Sequence, residues 1–423
     1  MEKYGSEIIK LEIHSCGVSS FLEILNMVPN VKSLLLSDLF CLQKKPIRNF
    51  NELHLTKLQE LEIDSCPSEF IEIFIDLPES VLVNLIIFCS TNLNFVEDIF
   101  EKQKRIKKLD LSCSVYKLNE NLNLEHLNLT HLRYLNASGT TFELINILKS
   151  QPNLISLDLS LHISKYDLLK EISNLKHLKV LKLNLEKLSA QEFMTLKVDS
   201  LTELEIEYDH ETNIDHITEL SYTKNLKLTS LKLKFYEQDL NTEIMTRLAK
   251  NNPNLRLIEI ENQKMNELIV CAFLKNCKNL ETFRSTFSHN NSILNGTFNS
   301  SFNQSEMKNL NLKELKLFGI KLDTNIVLKQ ICVNYPNLEV IAFNCFLNIK
   351  DDDLKYFLLR CTKIKDLELT DCQGLTIFAL PLISRYGKNI ENVMLPSWFK
   401  SFAKDIFSRR LQPIVFNEVK YGG

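Results

Sequence analysis

One spacing recurs along almost the whole chain: an apolar residue, two others, a second apolar residue, one other, a third apolar residue. It reads Ile8/Leu11/Ile13, Val31/Leu34/Leu36, Leu58/Leu61/Ile63, Leu82/Leu85/Ile87 and Ile106/Leu109/Leu111, then Leu132/Leu135/Ala137 and Leu154/Leu157/Leu159. It continues through Leu178, Leu201, Leu228 and Leu255, then Leu280/Phe283/Ser285, Leu312, Leu338 and Ile364, and closes at Ile390/Val393/Leu395. The sixteen matches advance by about 25 residues each, a period that belongs to solenoids of stacked small units.

The spacing carries its own physics. Alternation over the last three template positions is a strand signal, with two residues inward and those between them facing solvent. Between strands lie segments with helical spacing, such as 142–148, 243–249 and 353–359. The return to the next strand is often Pro-Asn, at Pro29-Asn30, Pro152-Asn153, Pro253-Asn254 and Pro336-Asn337, where proline ends the helix and sets the turn. One strand and one helix cannot bury their apolar faces alone, so the units must stack. The expected fold is α/β: a leucine-rich-repeat horseshoe of about sixteen strand–helix units, with a parallel sheet on the concave face. No linker divides the array, so one domain is expected over 1–423, with repeats at about 8–397 and a C-terminal cap at about 398–423.

Composition matters mainly for what it excludes. A net charge of -3 gives no general pull towards nucleic acid or anionic membrane. No apolar run reaches the roughly 18–20 residues of a membrane span. The first residues, Met1 to Glu7, carry charge and lack an apolar core, unlike a secretory signal. Eleven cysteines, an odd number without framework spacing, fit free thiols and an intracellular location, cytoplasmic or nuclear. On that reading the sequons at Asn290, Asn295, Asn299 and Asn303 belong to a polar loop that is not glycosylated.

Several units place cysteine near the strand end: Leu11 to Cys16, Leu61 to Cys66 and Leu367 to Cys372. The stretch from Leu338 to Cys372, with Cys345, a helix start at Asp351–Leu354 and Cys361, resembles the cysteine-containing repeat of F-box/leucine-rich-repeat proteins. The resemblance covers nearly the whole chain as fold and about a third of the units in the cysteine signature; Cys113, Tyr208 or Phe235 stands near that place elsewhere. It implies a substrate receptor of a cullin–RING ubiquitin ligase, in which an F-box of about 45 residues holds a Skp-type adaptor and the repeats hold the substrate. The repeats start by Ile8, leaving no room for an F-box before them. The fragment Leu77–Phe88 mimics its opening, but Leu82, Leu85 and Ile87 already serve the fourth repeat. Either the F-box lies on an upstream exon or the protein is a bare repeat module, a sensor or inhibitor of the ribonuclease-inhibitor-like kind that acts by occluding its partner.

Motifs for phosphate cradles, dinucleotide binding and zinc are absent, and no cofactor is expected. Asp209, His210, Glu211, Asp215 and His216 gather metal-capable side chains, with solvated loop charge as the ordinary alternative. Cys271 and Cys277 read as small packed hydrophobes. The basic run Lys102, Lys104, Arg105, Lys107 and Lys108 and the acidic run Asp351 to Asp353 sit where a helix dipole favours those charges, with nuclear import or a phosphate contact as the alternative for the basic run.

The solvent-facing strand positions say more. Lys182, Glu205, Lys232, Glu259, Arg284 and Lys316 occupy one template slot in successive repeats, and Glu207, Lys234 and Glu261 the slot after the next. Such neighbours pair across parallel strands, which predicts internal compensation in the middle of the array. Beyond it the face is less charged, and Phe318, Ala342, Asn344, Thr370 and Met394 are the candidate contacts for a protein partner. Trp398, with Phe399 and Phe402 close by, is either part of such an interface or, with Phe402, the cap over the open core of the last repeat, the cap being the favoured reading. The step from Leu280 to Leu312 is longer than the period, placing an Asn/Ser-rich insertion at about 285–304, either a functional loop or a spacer.

Overall fold

A computed structural model describes residues 7–40, 55–67, 73–89, 96–113, 124–136, 141–159, 166–184, 196, 199–208, 215–222, 227–235, 240–262, 267–286, 308–318, 325–344, 349–370, 372, 374–399 and 414–417. The chain divides into two compact units, Met1–Leu201 and Thr202–Gly423.

In the first unit the elements run β1 (Lys10–His14), α1 (Val18–Asn26), β2 (Ser33–Ser37), β3 (Glu60–Asp64), a 3-10 turn (Ile73–Asp76), β4 (Asn84–Cys89), α2 (Val96–Lys102) and β5 (Lys108–Cys113). They continue with β6 (His131–Asn136), α3 (Thr141–Ser150), β7 (Ser156–Leu159), α4 (Tyr166–Ser173) and β8 (Val180–Asn184). The second unit runs β9 (Glu203–Tyr208), α5 (Asp215–Tyr222), β10 (Ser230–Phe235), α6 (Thr242–Asn251), β11 (Leu257–Glu261), α7 (Glu267–Asn276) and β12 (Thr282–Thr286). After these come β13 (Glu314–Leu317), α8 (Asn325–Asn334), β14 (Val340–Asn344), α9 (Asp351–Arg360), β15 (Asp366–Thr370), α10 (Ala379–Tyr386), β16 (Asn392–Pro396), a 3-10 turn (Ser397–Phe399) and β17 (Ile414–Asn417).

Within each unit every strand pairs in parallel with the next. Each unit is therefore an α/β leucine-rich-repeat solenoid. The expected helical segments lie in α3, α6 and α9, and all four Pro-Asn pairs sit in turns. The template residues form the core: Leu204 and Ile206, or Leu231 and Leu233, are buried while their strand neighbours stay half exposed. Each buried aliphatic side chain contributes about 1.5–3 kcal/mol.

Backbone groups bind one repeat to the next. The carbonyl just before a strand accepts two successive N–H groups of the following repeat: Lys32 from Gln59 and Glu60 at 2.8 and 2.9 Å, Lys365 from Glu391 and Asn392 at 2.7 and 3.0 Å. Just past β1, β2 and β3, Ser15, Asp38 and Ser65 adopt a left-handed backbone with φ of 51°. That conformation costs a non-glycine residue about 1–2 kcal/mol. It aims each N–H at the next repeat, where the carbonyls of Ser37, Asp64 and Phe88 accept at 3.0, 3.1 and 2.8 Å.

Two expectations are corrected. The sixth repeat does not use Leu132/Leu135/Ala137. Leu132 pairs with Leu109 and Tyr134 with Leu111, and the buried set is Leu129, Leu132 and Tyr134. The register lies three residues earlier because leucines stand at 129, 132 and 135, so two frames satisfy the pattern, and the larger tyrosine fills the third inward place. Secondly, the region read as a cap contains a seventeenth strand, β17, paired in parallel with β16 (Val393 with Ile414, Leu395 with Phe416). Phe399, not Trp398, is the residue buried after β16; Trp398 is 44% exposed. Phe402 and nearly all of the insertion at 285–304 lie outside the described residues.

Candidate functional site

The outward strand positions form long rows of polar and apolar side chains that the repeat itself aligns. In the second unit these rows are internally paired. The Lys232 ammonium lies 4.0 Å from Glu205 and 3.7 Å from Glu259, and Lys234 lies 3.1 Å from Glu205 and 3.7 Å from Glu207. Burial alone would lower the Lys234 pKa, but the hydrogen bond and charge of Glu205, with Glu207 and Glu261 adding, hold it above its ordinary value. Arg284 reaches Glu259 at 3.8 Å and grips Glu314 with two hydrogen bonds of 2.8 and 2.9 Å. Lys316 adds a contact to Glu314 at 3.4 Å. Internal compensation of this stretch, read from the sequence for the rows through Lys316, is what the structure shows.

The candidate contacts beyond it separate into two groups. Phe318 and Met394 are half exposed on the outward face. Ala342 and Thr370 are buried, each 1% exposed, and offer no surface. Ala342 has Lys316 on one side and Glu368 on the other, and a methyl group lies below two such long side chains. Thr370 closes its strand, and its carbonyl accepts the Cys372 thiol at 3.6 Å. Asn344 belongs to β14, but its side chain lies outside the described residues.

Sequence reasoning missed Glu368, flanked by Ala342 and Met394 in the same slot. Burial raises its carboxyl pKa, with Lys316 pulling the other way. It also missed the corresponding residue of the first unit. There the middle slot runs Glu12, Leu35, Glu62, Ile86, Asp110, Arg133, Asp158 and Lys182. Arg133 holds Asp110 and Asp158, each at 3.2 Å, and Lys10 holds Glu12 at 2.8 Å. Among the described residues Glu62 has no hydrogen-bond or ion-pair partner. Its carboxyl pKa is raised by burial first and then by the charges of Asp64, Asp110 and Glu12, with the more distant Lys10 pulling the other way. A trough of about 500 Å³ lies over this face, lined among others by Leu35, Glu62, Ile86, Asp110 and Arg133. The signal was in the sequence: a carboxylate in a slot whose two neighbours, one period away on either side, are aliphatic.

The other clusters have structural uses. Lys102 donates to the Ile75 carbonyl at 2.9 Å and Arg105 to that of Ser80 at 3.4 Å, so part of the basic run ties the end of α2 to the preceding turn. Asp353 accepts from the Lys350 N–H at 3.1 Å at the start of α9, and Asp351 accepts from the N–H of Thr376 at 3.0 Å and from its hydroxyl. Cys277 is buried and its thiol points to the carbonyls of Ala249 and Asn252; burial pushes its pKa up to about 12. Cys271 is half buried. The strand-end cysteines serve the turn: the Cys66 thiol lies 3.2 Å from the Asp64 carbonyl, and its pKa is pushed up to about 11, mainly by burial. Asp209, His210 and Glu211 lie outside the described residues, as do the side chains of Asp215 and His216 at the start of α5. Among the described residues no three His, Cys, Asp or Glu side chains gather as a metal site, and no helix is long and apolar enough to cross a membrane.

No protein-family model matches the sequence, and no curated protein matches it. Among solved structures, an internalin from Listeria monocytogenes is similar over 99% of this chain and 85% of its own, at 14% identity and a TM-score of 0.34. A chain of the Rad7 and Elc1 complex in yeast is 18% identical, with 68% of this chain and 76% of that one covered and a TM-score of 0.44. The leucine-rich-repeat-containing protein LegL7 from Legionella pneumophila is 14% identical, covering 62% of this chain and 83% of its own, with a TM-score of 0.35.

Proposed function

We propose that this chain is a non-catalytic, protein-binding scaffold. One observation carries the reading: each unit has a parallel sheet whose outward positions stay half exposed along the strands. Parallel sheets are ordinarily covered on both faces, because their crossovers lay helices over them. A solenoid puts every crossover on one side, and the other face remains available to a macromolecule.

The finer reading is that the repeats are the substrate-recognition part of an F-box-type ubiquitin ligase receptor, which would hold a substrate protein beside an enzyme carried by other subunits. The strand-end cysteines and the repeat spacing support it, through their resemblance to that class. Phe318 and Met394 are proposed partner contacts in the second unit, with Glu368 between them. The test is affinity purification of the endogenous full-length product from its native source. Co-purification of a Skp-type adaptor and cullin is the expected result. Their absence, with another protein recovered stoichiometrically, would replace the ligase reading with that of a free-standing scaffold that occludes its partner.

A further inference from the structure

The two uncovered sheet faces are not alike. Along β9 to β13 the acidic and basic side chains satisfy one another, so a partner would have to displace existing ion pairs there. Along β2 to β5 the outward residues include Ser33, Leu35 and Ser37; Glu60, Glu62 and Asp64; Asn84, Ile86 and Phe88; Lys108 and Asp110. That is four carboxylates against one ammonium. The three on β3 form a column between two strands whose middle residues are aliphatic.

Lys108 stands in the outer slot, opposite Asn84 and then Glu60 and not opposite Glu62, and two other cations of this face are committed. Lys10 is bound to Glu12, and Arg133 is shared between Asp110 and Asp158. Glu62, at the centre, is left with Leu35 on one side and Ile86 on the other, under the open trough. A carboxylate without a cation beside aliphatic surface loses solvation and gains nothing in return.

We infer that the trough over β2 to β5 takes a cationic segment of the partner protein, with an arginine or lysine head on Glu62 and aliphatic surface against Leu35 and Ile86. This rests on the docking reading above and adds the chemistry of the occupant. An arginine fits both demands: its planar head matches a carboxylate with two parallel hydrogen bonds, and its methylene stem covers apolar surface. The surplus of carboxylates around Glu62 also draws a basic segment in and repels an acidic one.

The test uses the full chain and two short synthetic peptides, one alternating arginine with leucine and one alternating glutamate with leucine, followed by fluorescence anisotropy. The arginine peptide is expected to bind at least about tenfold more tightly than the glutamate peptide. Glu62→Gln should weaken it about tenfold (about 1.4 kcal/mol of binding energy), and Leu35→Ser should weaken it too. Glu261→Gln, which removes the same charge from the second unit, should leave binding unchanged. Equal binding by Glu62→Gln and the native chain would overturn the inference, as would equal weakening by Glu261→Gln. A second arm separates this inference from the docking reading itself. If the native chain recovers a stoichiometric protein partner and Glu62→Lys recovers it equally well, the docking reading stands and the trough is not the contact. If Glu62→Lys loses that partner while its thermal melt is unchanged, the inference is supported.

Discussion

Gln103 and Gln151 hold the same position in two different repeats. Each follows a helix and reaches back to the repeat before it. The Gln103 carbonyl oxygen accepts the Leu82 N–H at 3.0 Å, and the Gln151 oxygen accepts the Leu129 N–H at 2.8 Å. Their amide nitrogens donate to the carbonyls of Pro78 and Leu124 at 2.9 and 2.7 Å. Both side chains are buried. Leu82 opens the core triplet of its repeat, so the match independently places Leu129, not Leu132, at the head of the sixth. Replacing Gln151 with leucine would leave a buried N–H and a buried carbonyl unpaired. Urea unfolding should show a loss of about 2 kcal/mol, and hydrogen exchange at Leu129 should accelerate.

The Arg284–Glu314 pair predicts a pH dependence. Burial would raise the Glu314 carboxyl pKa, but the hydrogen bonds and charge of Arg284, with Lys316, hold it below its ordinary value. A carboxyl lowered in the folded state stabilises the protein at pH values above its unfolded pKa and loses that contribution as pH falls through the folded value. Arg284→Ala should therefore cost about 1 kcal/mol at neutral pH, a modest figure because the arginine is solvent-screened. The gap between native and variant should close below about pH 4. Melting curves across that range decide it.

Gly387 ends α10 with no room for a side chain. A Cβ there would lie 2.7 Å from the Ile383 carbonyl oxygen and 2.5 Å from the Ile390 Cδ1 atom. The backbone contact cannot be relieved by a rotamer change. Gly387→Ala should destabilise by about 1–3 kcal/mol, read from the urea midpoint.

Tyr335 predicts the opposite sign. Its ring is fully buried, burial pushes its phenol pKa up, and among the described residues its hydroxyl has no hydrogen-bond partner. Tyr335→Phe removes the uncompensated polar atom and keeps the packing. It should raise stability by about 1 kcal/mol, visible as a higher melting temperature.

The thiols should react unequally. Burial holds the pKa of Cys66 near 11 and that of Cys277 near 12, so neither offers thiolate at neutral pH. In a native alkylation time course followed by mass spectrometry, Cys16, which is only half buried, should label well before either.

The strands were legible because burial of the template residues decides the fold and leaves its mark every period. The places where reading failed have local causes. Where leucine recurs every third residue, as at 129, 132 and 135, pattern alone admits two frames; choosing needs the pairing to Leu109 and Leu111. The outward face was legible as alternation but not as exposure. Ala342 alternates correctly yet is covered by its longer neighbours, and Trp398 looks like core yet stands out beside the buried Phe399. Glu62 could be found only after the strands were aligned, because its meaning lies in Leu35 and Ile86, residues distant in sequence.

The carbonyl that receives two amide groups of the following repeat has a mechanical consequence. Each such clasp joins one repeat only to the repeat that follows it, as Lys32 joins Gln59 and Glu60. A stretched end would therefore release its terminal clasp before loading the one behind it. Drawn from the chain terminus in a force microscope, the array should lengthen in small, near-equal increments, giving a low plateau rather than a single rupture peak.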